Sequence, residues 1–166
     1  KENILKEKYL MEYLGDHNPP SYGYIKLIDF YGDNYNYFLI SQYGGKPLRE
    51  HIIYCFQLIS EQKIKINEYK RHTKVLLYQI IRYIHWLHSI NVCHLDISIE
   101  NMLIKNYKLK GGKFIDDGTV YFCDYGLSEL FTKQKGFKCK KFVGKLSYKS
   151  REIFKEIEYN ASLADI

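Results

Sequence analysis

The chain has 166 residues, enough for one ordinary domain with a sizeable core, and its 46% apolar content makes it globular rather than disordered. A net charge of +6 does not mark a nucleic-acid binder, because Lys and Arg are mostly dispersed among acidic residues and no RNA-binding aromatic signature occurs. No apolar run approaches membrane-spanning length, and the four cysteines, at 55, 93, 123 and 139, form no C-x-x-C or other metal-ligand spacing, so reduced thiols are expected.

Residues 1–14 place Ile4, Leu5, Tyr9, Leu10 and Leu14 on one helical face, and Gly15, Asp16, Asn18, Pro19 and Pro20 end that helix. Two short strands are predicted, 23–30 and 37–41, joined through Gly32-Asp33-Asn34 as a hairpin. Gln42 to Leu48 reads as a connector, with Pro47 opening a helix that runs to Ile59. A long helix follows from Asn67 to Ser89, and its apolar positions are too many for one stripe, which predicts burial on most sides. Beyond it, Met102 to Ile104 is a short strand, 105–118 a polar loop with two adjacent glycines, and Thr119 to Cys123 a strand running into Asp124. Residues 133–141 read as a basic loop within a lysine cluster (133, 135, 138, 140, 141 and 145), 150–156 as a helical turn, and 160–166 as the start of a further element. The chain starts inside a helical pattern and ends without a stop signal, as a piece of a longer protein would.

Between these elements lie three polar side chains with a chemical pattern. Asp96 is followed five residues later by Asn101, and Asp124 precedes Tyr125-Gly126 at a strand end. An Asp that orients a hydroxyl, with two oxygen ligands for a hard cation, suits phosphoryl transfer from a magnesium-bound nucleotide. A plain loop with Asx turns is the alternative for Asp96 and Asn101 taken alone.

The motifs and their order resemble a protein kinase domain. The family's H-R-D-L-x-x-x-N loop stands here as His94-Leu95-Asp96-Ile97-Ser98-Ile99-Glu100-Asn101, its D-F-G as Asp124-Tyr125-Gly126, and its G-T-x-x-Y-x-A-P-E as Gly144 to Glu152. Asp165 falls where the family's αF Asp braces the catalytic loop. The resemblance implies an α+β, kinase-like fold, truncated: 1–41 as the end of the N-lobe from αC, 42–48 as the hinge, and 49–166 as the first part of a mainly helical C-lobe. The remainder of the domain would flank it on both sides. The form H-L-D-I-S-x-E-N, the Gly-Gly-Lys-Pro after the hinge and the Tyr/Ile/Asn/Lys-rich composition are most similar to the FIKK kinases of apicomplexan parasites. For that family, export into a host cell is implied for many members; otherwise a cytoplasmic site is expected.

By this resemblance the cofactors are ATP and Mg2+, and the partner is a protein substrate, with serine or threonine favoured over tyrosine as acceptor. Asp96 would accept or orient the acceptor proton, and Asn101 and Asp124 would hold magnesium. Glu7 is the candidate for the αC Glu that pairs with the ATP-binding Lys, with Glu2 and Glu12 as rivals. Ser41 as gatekeeper, Gln42, Tyr43 and Gly44 as hinge, Leu103 as floor and Cys123 as lining would form the adenine site. His94 is expected to pack rather than to move protons.

Several positions depart from the family's pattern. Leu95 replaces the Arg that binds a phosphorylated activation loop, which makes Thr132 a bystander rather than a switch. Ser98 replaces the Lys that helps neutralise the γ-phosphate, and Lys145, at the activation-segment Thr position, is a candidate to supply that charge from across the cleft. Arg151 replaces the Pro before Glu152. Two other readings share the fold: a pseudokinase scaffold, against which stand Asp96, Asn101 and Asp124, and a small-molecule phosphotransferase, against which stands the Gly144 to Glu152 segment. The 166 residues alone are expected to show no useful activity.

Overall fold

A computed structural model describes residues 4–33, 35–132, 134, 136–155 and 158–166. Glu2, Asn34, Lys133, Lys135 and Glu156, each part of a sequence expectation, lie outside the described residues. The chain opens with helix α1 (Ile4–Asp16), which buries Leu10, Met11 and Leu14. Leu5 and Tyr9, expected on the same inner face, are half exposed, so the buried stripe is narrower than the apolar pattern and includes Met11 instead.

Strands β1 (Leu27–Gly32) and β2 (Tyr37–Ser41) form the antiparallel hairpin, with a register shift between Leu27 and Asp29. The first strand starts later than expected; Gly23 makes only a parallel bridge to Tyr121 instead. After the connector come β3 (Lys46–Pro47) and helix α2 (Leu48–Ser60), with Pro47 as the residue capping the helix rather than its first helical residue.

Helix α3 (Ile66–Ser89) buries His72, Leu76, Tyr83 and Leu87. At 100° per residue these four fall within an arc of about 60°. The expectation of burial on most sides is therefore wrong: Leu77, Tyr78 and Ile81 are exposed.

Strand β4 (Val92–Cys93) leads into the catalytic-loop motif, and β5 (Met102–Lys105) leaves it. The segment 105–118, expected as a loop, is instead a hairpin of β6 (Lys108–Lys110) and β7 (Lys113–Asp116) turning through Gly111 and Gly112, both at positive φ. Adjacent glycines supply that left-handed backbone without a Cβ clash. Strand β8 (Thr119–Phe122) then pairs antiparallel with β5, and β5 with β3, to make a three-stranded sheet.

The last part of the chain wraps back over the loop. Strand β9 (Glu129–Leu130) pairs with β4. Strand β10 (Lys138–Cys139), within the expected basic loop, pairs with β11 (Tyr159–Asn160). Between them lies helix α4 (Arg151–Lys155), and α5 (Ala161–Ala164) follows, its N-terminus capped by the Asn160 side chain on the Ser162 and Leu163 N–H groups.

Three apolar clusters result. The largest joins α1, α3 and the β5–β8 sheet around Leu14, Tyr83, Leu87 and Phe122. A second holds Cys93, Leu95, Cys139, Ile153, Tyr159 and Ala161, and a third holds Cys55, Leu58, Ile64 and Phe114 under the β6–β7 hairpin. No helix among the described residues is long and apolar enough to cross a membrane.

Candidate active site

The β5–β8 register does the first positioning. Met102 lies opposite Phe122, and the Cys123 N–H donates to the Asn101 carbonyl at 3.0 Å, so Asn101 and Asp124 sit at neighbouring strand ends. Asp124 has φ +65° and its carboxylate accepts a long hydrogen bond from the Gly126 N–H, 3.4 Å. This tight turn reverses the chain immediately after the carboxylate.

Asp96 and Asn101 are both nearly buried and tied together. The Asn101 amide nitrogen donates to the Asp96 carbonyl at 2.9 Å and to its Oδ2 at 2.7 Å. The other Asp96 oxygen accepts the Lys145 backbone N–H at 3.0 Å. That contact depends on Gly144, at φ +86°, where a Cβ would stand 2.7 Å from the Leu95 carbonyl oxygen. The Lys145 ammonium turns into the same site and donates to Ser98 Oγ at 2.7 Å and Asn101 Oδ1 at 2.8 Å, with Asp96 Oδ2 at 3.9 Å. Ser98 and Lys145, separately noted in the sequence, are thus direct partners.

The loop itself is held from α5. Asp165 is almost fully buried; its two oxygens accept the His94 and Leu95 N–H groups, each at 2.8 Å, and His88 Nε2 lies 3.0 Å from Oδ2. His94 is fully buried between Phe122 and Tyr125, and burial pulls its imidazole below the usual range despite Asp165, Asp96 and Asp124 nearby. Its contacts are ring packing, and neither of its buried ring nitrogens has a hydrogen-bond partner among the described residues. Leu95, at φ +64°, inserts into the second apolar cluster.

From α1, Glu7 Oε1 accepts the Tyr125 backbone N–H at 3.1 Å, so this carboxylate faces the Asp124 turn. Glu12 instead lies on the outer face, paired with Lys8 at 2.7 Å. Glu129 connects α1 to the last part of the chain through Lys6, at 2.8 Å, and Lys141. Lys138 and Lys140 approach Glu158 at 3.7 Å. Much of the described lysine cluster is therefore engaged with carboxylates of the same chain. The Tyr125 ring is buried, and its hydroxyl meets that of buried Tyr83 at 2.8 Å. Sequence reasoning did not find Tyr83; the available signal was that a buried Tyr at the usual Phe position needs a polar partner.

The expected adenine-site residues fall along one edge. Ser41 ends β2, and the Gln42 N–H donates to Lys26 at 2.8 Å. Tyr43 points outward, with its carbonyl accepting Lys105 Nζ at 3.2 Å. Gly44 packs against Leu103 and Ile25 so closely that a Cβ would meet their Cδ1 atoms at 2.8 and 2.9 Å. Cys123 is half-buried, and burial, with Asp124 beside it, pushes its thiol up to about 11.

Asn101 Oδ1 and the Asp124 carboxylate are the hard oxygen donors that Mg2+ prefers, and the strand register sets them side by side, so the donor set fits that ion. Because Asn101 Oδ1 is held by the Lys145 ammonium, ion and ammonium would share this oxygen's lone pairs.

Together these contacts set an Asp96 carboxylate oriented by an amide, the oxygen donors of Asn101 and Asp124 beside it, and a return segment docked on Asp96 and Asn101. A model of the protein kinase domain matches residues 1–166, and the chain belongs to that family. It is 28% identical to the serine/threonine-protein kinase ppk6 of Schizosaccharomyces pombe over 159 residues, 95% of this chain and 17% of that protein. It is 31% identical to calcium-dependent protein kinase 4 of Plasmodium falciparum, covering 84% of this chain and 23% of the relative. Against the mitogen-activated protein kinase pmk-3 of Caenorhabditis elegans the identity is 26%, covering 78% and 24%. The chain thus spans about a quarter or less of the length of these relatives.

Proposed function

We propose that this chain carries the phosphoryl-transfer centre of an ATP-dependent protein kinase that acts on serine or threonine. The observation that carries the reading is the carboxylate of Asp96, with each oxygen fixed by a separate donor: Lys145 N–H on one and the Asn101 amide on the other. A carboxylate so oriented can accept the proton of an acceptor hydroxyl while holding that oxygen in line with the γ-phosphate. When bound, Mg2+ at Asn101 and Asp124 would supply charge neutralisation on the nucleotide phosphates. Lys145 adds a second positive charge, at the place where Ser98 leaves none. Ser41, Gln42, Tyr43, Gly44, Leu103 and Cys123 would receive the adenine, and Glu7 would pair with the ATP-binding Lys of the intact domain. The serine/threonine assignment is supported by the named activity of the ppk6 relative. In this reading 1–41 is N-lobe, 42–48 hinge and 49–166 C-lobe. The FIKK-like form of the loop makes an apicomplexan, host-exported enzyme the favoured setting, and an F-I-K-K element upstream in the parent sequence would test it.

The experiment is a radiolabelled-ATP assay on a kinase domain containing this chain. Asp96→Asn is expected to lower turnover by about 100-fold or more, as loss of a positioned base does. Lys145→Ala is expected to reduce kcat on the order of 100-fold, the scale of one removed charge-stabilising donor. Full activity in Asp96→Asn would sink the kinase reading; unchanged kcat in Lys145→Ala would sink only the role of Lys145.

A further inference from the structure

Away from the active site, three potential ligand atoms converge in the layer between α2, α3 and the β6–β7 hairpin. His51 and Cys55 are four residues apart on α2, so both face the same way, toward His72 on α3. All three are buried, with exposures of 3%, 0% and 1%. His51 Nε2 lies 2.7 Å from His72 Nε2 and 3.5 Å from Cys55 Sγ, and the three atoms lie within 4.8 Å of one another. On the far side of His72, Nδ1 meets the Asp117 carboxylate at 2.7 Å, and Asp117 is in turn gripped by Arg71. Phe114 stacks on His72, and Tyr107 packs at a tilt against His51, closing the layer.

Without an ion this arrangement is poorly wired. Asp117 fixes a His72 proton on Nδ1, so in the neutral ring Nε2 is bare. His51 must then donate through Nε2. The Cys55 thiol is left facing an N–H, which cannot accept its proton. The charges are also unequal: Glu68, Arg71 and Asp117 sum to one negative charge beside neutral imidazoles and a neutral thiol.

We propose that His51, Cys55 and His72 form a three-ligand site for a divalent transition-metal ion of the zinc type. Two imidazole nitrogens and one thiolate are the borderline-soft donors such an ion takes, and they are wrong for Mg2+ or Ca2+. At a tetrahedral ion, with metal–nitrogen and metal–sulfur bonds of roughly 2.1 and 2.3 Å, nitrogen and sulfur stand about 3.6 Å apart. His51 and Cys55 already have that spacing. The two imidazole nitrogens, 2.7 Å apart, must part by about 0.7 Å to reach the matching separation, which a small ring rotation supplies. Asp117 orients His72 as a carboxylate behind a metal-bound imidazole does. Binding forms the metal–sulfur bond, releases the thiol proton to solvent, and moves the His51 proton from Nε2 to Nδ1, so that both Nε2 atoms can bind the ion. The ion adds two positive charges and the lost proton removes one, which cancels the excess negative charge.

The test is independent of kinase activity. Reduced, chelator-stripped protein containing this chain is titrated with Co2+, followed by absorbance, and then with Zn2+. One equivalent of Co2+ is expected to produce a thiolate-to-cobalt charge-transfer band that Zn2+ bleaches. In Cys55→Ala that band should vanish. Asp117→Asn should weaken binding by about 10–100-fold. Absence of a saturable band in folded, stripped wild-type protein would overturn the proposal, whatever the variants do. So would a band that persists in a folded Cys55→Ala protein; the cluster would then be a metal-free histidine pair.

Discussion

A single hydroxyl distinguishes Tyr125 from the Phe usual at its position, and it is buried, so it must find a partner. It finds the hydroxyl of Tyr83, on α3, and burial raises both phenols above their ordinary range. Tyr125→Phe leaves the Tyr83 hydroxyl stranded in the main core, a loss of roughly 1–3 kcal/mol. The double variant Tyr83→Phe/Tyr125→Phe removes both halves and is expected to be more stable than Tyr125→Phe alone. Urea denaturation of the single and double variants measures the coupling; strict additivity would show that the hydroxyls do not depend on each other. At this scale the sequence was partly readable. Asp96, Asn101 and Asp124 announce themselves by spacing and residue type. Tyr83 does not, because 42 residues separate it from its partner and one apolar-looking aromatic in a helix carries no sign of which ring it will meet.

Among the elements, the short helix α5 matters beyond its length. Its Asp165 is the acceptor for two consecutive backbone N–H groups of the catalytic loop. Asp165→Ala leaves both donors buried and unpaired, for an expected loss of about 2–6 kcal/mol at roughly 1–3 per donor. Amide exchange at His94 and Leu95 should accelerate in the variant, and protection equal to wild type would show that the loop holds itself. The elements also mark where the sequence misled. The 105–118 segment looked like loop because lysines and glycines dominate it. Yet Leu109, Phe114 and the Gly111-Gly112 pair were hairpin signals, and Phe114 is buried where it meets α3. In α3 the abundance of apolar residues suggested burial all round, whereas His72, Leu76, Tyr83 and Leu87 alone form the inner stripe. Abundance was the wrong measure, and angular position the right one. The His51, Cys55 and His72 group escaped notice because cysteine spacing was tested along the chain, while these ligands meet across two helices and a hairpin.

Over the whole molecule, the second apolar cluster shares no buried residue with the other two. It joins the catalytic loop to β10, α4 and β11 through Leu95, and it contains two of the four thiols, Cys93 and Cys139. Such a unit can open while the main core stays closed. Leu95→Ala removes its central side chain at about 2–5 kcal/mol. Labelling of Cys93 and Cys139 by a thiol reagent in dilute urea is therefore expected to speed up on the order of 100-fold, with Cys55 unchanged. Simultaneous acceleration of all the buried cysteines would mean that the clusters open as one.

The residue at that centre also fixes how the return segment responds to its surroundings. An arginine gripping a phosphate would be screened by salt and strengthened by a modification. The Leu95 side chain offers neither charge nor hydrogen bond; its grip is apolar contact, whose driving force is entropic near room temperature and fades on cooling. Between Leu95 and Cys139, Ile153 and Tyr159, ionic strength has little to act upon. The apolar part of this segment's anchor is thus a thermal one, weakening in the cold, while its lysine contacts answer to salt.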